Sequence, residues 1–164
     1  IVLGLGDNIV FNNLIVNPGK QGIFCDERFS PGNGFSFVNN TIINPGEDGI
    51  RIDARNMELN SLVNNLVINP GNFDKYENSN DPKITGEDAF INAQSQNVYV
   101  SSNYFERDIS KILFVNPQSN NYDLSANSPA IDIGEDVSSF NISFDILNNP
   151  RPVNAYDVGA YERQ

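Results

Sequence analysis

Three stretches decide how this chain folds: Asn12-Asn13-Leu14-Ile15-Val16-Asn17-Pro18-Gly19, Asn39-Asn40-Thr41-Ile42-Ile43-Asn44-Pro45-Gly46 and Asn64-Asn65-Leu66-Val67-Ile68-Asn69-Pro70-Gly71. They begin at residues 12, 39 and 64, so one phrase returns after 27 and then after 25 residues. A period in that range is the signature of a repeat architecture. Each copy holds a short run of apolar, mostly β-branched residues, which reads as a strand. The Asn-Asn ahead of the run suits a tight bend, because Asn tolerates left-handed backbone better than other non-glycine residues. The Asn-Pro-Gly behind it ends the strand. Bend, strand and turn at constant period describe one coil of a β-solenoid.

A second element repeats within the coil. Gly22-Ile23-Phe24-Cys25-Asp26 aligns with Gly49-Ile50-Arg51-Ile52-Asp53, and a degenerate third copy is Asp88-Ala89-Phe90-Ile91-Asn92. Another short run precedes each Asn bend: Ile9-Val10-Phe11, Phe35-Ser36-Phe37-Val38, Ser61-Leu62-Val63 and Val98-Tyr99-Val100. Each coil therefore carries three strands whose alternate side chains point inward. Stacked in parallel about 4.8 Å apart, equivalent residues form columns. Ile15, Ile42 and Val67 make one apolar column, and Cys25, Ile52 and Ile91 another. Asn13, Asn40, Asn65 and Asn103 stack at the bend, where their amides can hydrogen-bond along the ladder. The fold class is all-β, with about four coils over residues 1–111 and a distinct C-terminal module over 112–164. An insertion at 72–87 interrupts the last coil just before its Gly-Ile strand, placed to overhang that sheet.

The composition excludes several functions. A net charge of −11, with only 10 scattered basic residues, repels nucleic acid and anionic membrane surfaces. No stretch approaches the roughly 20 apolar residues of a spanning helix. The chain has no histidine, so a Ser-His-Asp triad, a His-ligated zinc and an imidazole base are all excluded. Cys25, the lone cysteine, cannot form an intrachain disulfide and reads as a small buried hydrophobe. The chain opens on Ile-Val-Leu inside a repeat, with no recognisable N-terminal cap. The expectation is that upstream coils precede it, since an open stack exposes unpaired strand edges.

The Gly-Ile strand, the Asn-Asn bend and the apolar run together resemble the right-handed parallel β-helix of the pectate-lyase-like superfamily, over roughly residues 1–115. The tail reads Asn121-Tyr122-Asp123-Leu124, Ser128-Pro129-Ala130-Ile131-Asp132-Ile133-Gly134, Asp145, Arg151 and Asp157-Val158-Gly159-Ala160-Tyr161-Glu162. It is similar to the C-terminal module of many secreted, Bacteroidetes-type β-helix surface proteins, which carries Gly before the Arg where this chain has Asn148-Asn149-Pro150. The resemblance implies a right-handed solenoid closed by a capping module, export to the bacterial cell surface, and carbohydrate or surface-protein binding. It names no substrate, since the fold hosts lyases, hydrolases, epimerases and adhesins. The Asn-Thr-Asp, Asp-Asp, Gly-His-Gly and Arg-Ile-Lys signatures of its pectic hydrolases do not occur, and Arg51-Ile52-Asp53 departs from the last at its lysine.

Site candidates follow from the outward columns of the Gly-Ile strands. These are Phe24, Arg51 and Phe90, then Asp26, Asp53 and Asn92, with Arg28, Arg55 and Gln94 beyond. Two carboxylates one coil apart lie about 5 Å from each other. Such a pair pairs with nearby arginines at a turn, recruits a hard cation such as calcium, or serves as the acid and base of a retaining glycosidase. Phe24 and Phe90 offer rings for sugar stacking. The expectation is glycan or cation binding at Phe24, Asp26, Arg51, Asp53, Arg55, Phe90 and Asn92, with calcium at Asp26 and Asp53 and no assigned catalytic residue. The partner is then a polysaccharide or another surface protein. The alternative is the non-catalytic end of a secreted polysaccharide lyase or glycoside hydrolase, the active site lying in upstream coils.

Overall fold

The computed structural model describes residues 1–5, 7–30, 34–53, 59–93, 97–152 and 154–164. Along the chain run β1 (Val2–Leu5), β2 (Ile9–Phe11), β3 (Leu14–Val16), β4 (Ile23–Ser30), β5 (Ser36–Val38) and β6 (Thr41–Ile43). Then come β7 (Ile50–Asp53), β8 (Asn60–Val63), β9 (Leu66–Ile68), a short helix α1 (Phe73–Glu77), β10 (Ile91–Asn92), β11 (Val98–Ser101) and β12 (Tyr104–Glu106). β13 (Phe114–Asn116) and β14 (Asn121–Leu124) form a small antiparallel pair.

β1 to β12 sort into three parallel sheets of four strands. Sheet A is ordered β1-β4-β7-β10, sheet B β11-β8-β5-β2 and sheet C β12-β9-β6-β3. Every third strand pairs with its predecessor, an arrangement compatible with a parallel β-helix. Repeat phrases meet in register: Ile15 faces Ile42 and Ile42 faces Val67 in sheet C, and Ile23 faces Ile50 with Cys25 facing Ile52 in sheet A. Ile23, Cys25, Phe37, Ile42, Ile50, Leu62 and Val67 are all fully buried in one interior cluster. A flat parallel sheet would need its core supplied from outside. Here three short strands per turn enclose one.

The bends and turns explain the non-apolar letters of the repeat. Asn12, Asn39 and Asn64 take left-handed backbone with φ of 52°, 52° and 55°. The second asparagine of each pair forms the ladder. Asn13 donates through its backbone N–H and its Nδ2 to Asn40 Oδ1 (3.1 and 2.9 Å), and Asn40 does the same to Asn65 (3.2 and 2.9 Å). Asn65 continues it to Asn103, both bonds at 2.8 Å. Each of these amides is thus satisfied in an interior that would otherwise penalise it. At the Asn-Pro-Gly turns, a Cβ on Gly71 would stand 2.4 Å from Gly46 O, and one on Gly46 would stand 2.6 Å from Gly19 O. Only glycine lets successive turns approach this closely.

Residues 112–164 lie along the flank of the stack, whereas the resemblance places them as a cap on its end. Val137 and Ile142 pack on Val38 and Val63, which point outward from sheet B. Ile112, Phe114, Tyr122, Ala130, Val158 and Ala160 pack on Ile43, Leu66 and Ile68, which point outward from sheet C. The physical reason is in the strands: β9 is apolar on both faces and β6 turns Ile43 outward beside Thr41, so their outer face also has to be buried.

The motif residues of the tail hold this flank together. Arg151 is buried and pairs with Glu162 at 3.1 Å, while its guanidinium also donates to the carbonyls of Asp157 (3.2 Å) and Gly159 (2.8 Å). Asp145 accepts from the backbone N–H groups of Leu147, Asn149 and Glu162. Gly159, with φ of +99°, sits where a Cβ would be 2.6 Å from Thr41 Oγ1. Its neighbour Ala160 donates to that same oxygen at 2.8 Å.

Candidate functional site

The tail's hydrogen bonds and apolar contacts among the described residues fall on sheets B and C, which leaves the outward face of sheet A open. Its columns follow from the register. Phe24 faces Arg51 and Asp26 faces Asp53, as the alignment of the two Gly-Ile phrases predicts. The third phrase is shifted. Ile91 pairs with Ile50, and Asn92 with Arg51, two places from the expected partners Ile52 and Asp53. The outward column is therefore Val2, Phe24, Arg51 and Asn92.

The shift has a local cause. A 3₁₀ turn over Gly86–Ala89 replaces the Gly-Ile lead-in, and Phe90, at its end, keeps helical backbone (φ −72°, ψ −52°). Strand alternation does not apply to such a residue. Phe90 turns into the core, 2% exposed, stacked on Phe105 at 5.0 Å and edge-on to Phe73 at 5.8 Å. It is a core residue, and its expected place on the outward face is corrected. Arg55 and Gln94 lie outside the described residues, as does the side chain of Arg28.

Phe24 and Arg51 are half-buried, Asp26 is buried and Asp53 is exposed. The two carboxylates are one strand apart, about 4.8 Å between backbones. Their charges reach the buried thiol of Cys25: burial pushes the thiol far above its ordinary range, and Asp26 and Asp53 push it further in the same direction. Cys25 is an inert core residue. Among the described residues no three carboxylate or thiol groups gather as a metal cluster. Asp26 and Asp53 offer two acidic side chains, and a hard cation would have to complete its shell with carbonyls and water.

A cluster absent from the sequence reading sits at the start of this face. Asp48, fully buried in the turn before β7, accepts from Asn72 Nδ2 on Oδ1 (2.7 Å), and from Asn92 Nδ2 (3.2 Å) and the Tyr76 hydroxyl (3.3 Å) on Oδ2. Asn72 and Asn92 each donate a second time, to the Tyr76 oxygen, at 3.2 Å in both cases. Both amides have used both hydrogens, and the hydroxyl has donated once and accepted twice. Burial raises the pKa of Tyr76, the Asp48 carboxylate raises it more, and nearby Arg51 draws it back. Tyr76 has no hydrogen-bonding capacity left for acid–base work, and the cluster acts as a clamp. It fastens α1 and the insertion to the turn before β7 and to Asn92 on β10, the last strand of sheet A. Arg107 extends the anchorage, its guanidinium 4.1 Å from the Phe73 ring and 3.1 Å from Asp74.

The face can therefore present, side by side, a partly exposed ring (Phe24), a guanidinium (Arg51) and an exposed carboxylate (Asp53). Among the described residues Arg51 has no ion-pair partner within 4 Å. Elsewhere no helix among the described residues is long and apolar enough to cross a membrane. Comparison with protein-family models, with curated proteins and with solved structures finds no match in any of the three.

Proposed function

We propose that this chain is part of an exported, cell-surface, right-handed parallel β-helix protein of the pectate-lyase-like type, and that it binds a glycan on the open face of sheet A. About four coils over residues 1–111 form the body, and residues 112–164 form the module that braces it. The observation that carries the reading is the column of Phe24 and Arg51, in register on the one sheet whose outer face the tail leaves bare. A half-exposed ring stacks on the apolar face of a sugar, and an adjacent guanidinium holds its hydroxyl or carboxylate oxygens. Asp26 and Asp53, in the next column, are the ligands offered to calcium, which would let an acidic glycan approach a protein of net charge −11. Another surface protein is the second class of partner for the same face.

The test is calorimetry with neutral and uronate-containing oligosaccharides, with and without calcium, on the wild type and on Arg51→Ala, Phe24→Ala and Asp53→Asn. Glycan binding weakened at least tenfold by Arg51→Ala and Phe24→Ala supports the reading. Absence of binding by the wild type, or binding indifferent to both substitutions, ends it. A calcium requirement lost in Asp53→Asn would place the cation.

A further inference from the structure

We draw no further inference here: the strongest candidate, the open cavity in the tail module between Ser138, Asn141, Ser143 and Tyr156, carries nothing, because the orphaned Nε of Arg151 beside it belongs to a side chain with no exposed surface and nothing in the structure shows what would occupy it.

Discussion

Asn64 and Glu135 are joined by a reciprocal pair of hydrogen bonds: Asn64 Nδ2 donates to the carbonyl of Glu135 at 2.8 Å, and the N–H of Glu135 donates to Asn64 Oδ1 at 2.9 Å. A side-chain amide thus pairs with a distant peptide as a strand edge would. The other first asparagines also hold the tail. Asn39 Nδ2 donates to the carbonyls of Asp157 (3.0 Å) and Gly159 (3.2 Å), and Asn12 Nδ2 to that of Phe144. In the fourth copy Ser102 takes the left-handed place, with φ of 50°. The two asparagines of the repeat therefore divide the work, the first gripping the tail and the second building the ladder.

That division predicts different outcomes for neighbouring substitutions. Asn64→Ala, at a position as buried as Asn65, removes only the two bonds to the Glu135 peptide, a cost of about 1–2 kcal/mol. It should also raise amide exchange in residues 130–136. Asn65→Ala strips four bonds in a fully buried setting and orphans the backbone N–H of Asn40, at roughly 3 kcal/mol or more. Urea unfolding of both variants separates them, and equal losses would refute the division.

What was legible in the sequence was what depends on neighbours along the chain or one coil away. Ile42 against Val67, and Asp26 against Asp53, follow from a fixed period and strand alternation. The role of Asn39 and Asn64 was not legible, because their partners lie 118 and 71 residues on and are backbone atoms with no residue-specific signature. Phe90 was misplaced because strand alternation was carried through a 3₁₀ turn. The role of Asp48 has no signal in the repeat, because its partners Asn72 and Tyr76 come from the insertion, outside it.

The glycine at each Asn-Pro-Gly turn should matter only where another coil stacks on it. Gly71→Ala places a methyl 2.4 Å from Gly46 O, a clash with backbone that costs on the order of 2–3 kcal/mol. Gly19→Ala meets nothing within 4 Å and should be neutral. Thermal melts of the pair check this, and a Gly19→Ala loss as large as that of Gly71→Ala would show that backbone entropy, not close approach, selects glycine.

Asp157 makes the flank sensitive to pH. Burial raises its pKa above the ordinary 3.8, against the N–H groups of Arg163 and Asp132 that favour the anion. A raised native pKa means the folded state holds the proton more tightly than the unfolded chain. The contribution is therefore fully present below about pH 4 and is lost as pH rises through the native value. Asp157→Asn cannot titrate, so the stability of wild type relative to this variant should fall between about pH 4 and pH 7. Chemical denaturation at both pH values gives the difference, and a rise in place of the fall would mean that the two N–H donors outweigh burial.

The clamp on the insertion yields the last prediction. Tyr76→Phe keeps the ring and deletes the hydroxyl, so Asp48 loses one donor while Asn72 and Asn92 each lose an acceptor. Because Asp48 keeps both amides, the carboxylate is not stranded, and the cost should be local, about 1–2 kcal/mol. α1 is only five residues long and cannot persist without tertiary support. Loosening should therefore show as faster hydrogen exchange and proteolysis within residues 72–90, with β4 to β9 unchanged. Asp48→Ala is the harsher case, for it leaves two buried amides and a hydroxyl around an empty space, and it should free the insertion altogether. If Tyr76→Phe weakened glycan binding while exchange in the insertion stayed as in the wild type, the hydroxyl would be contacting ligand directly, and the clamp would not be its main role.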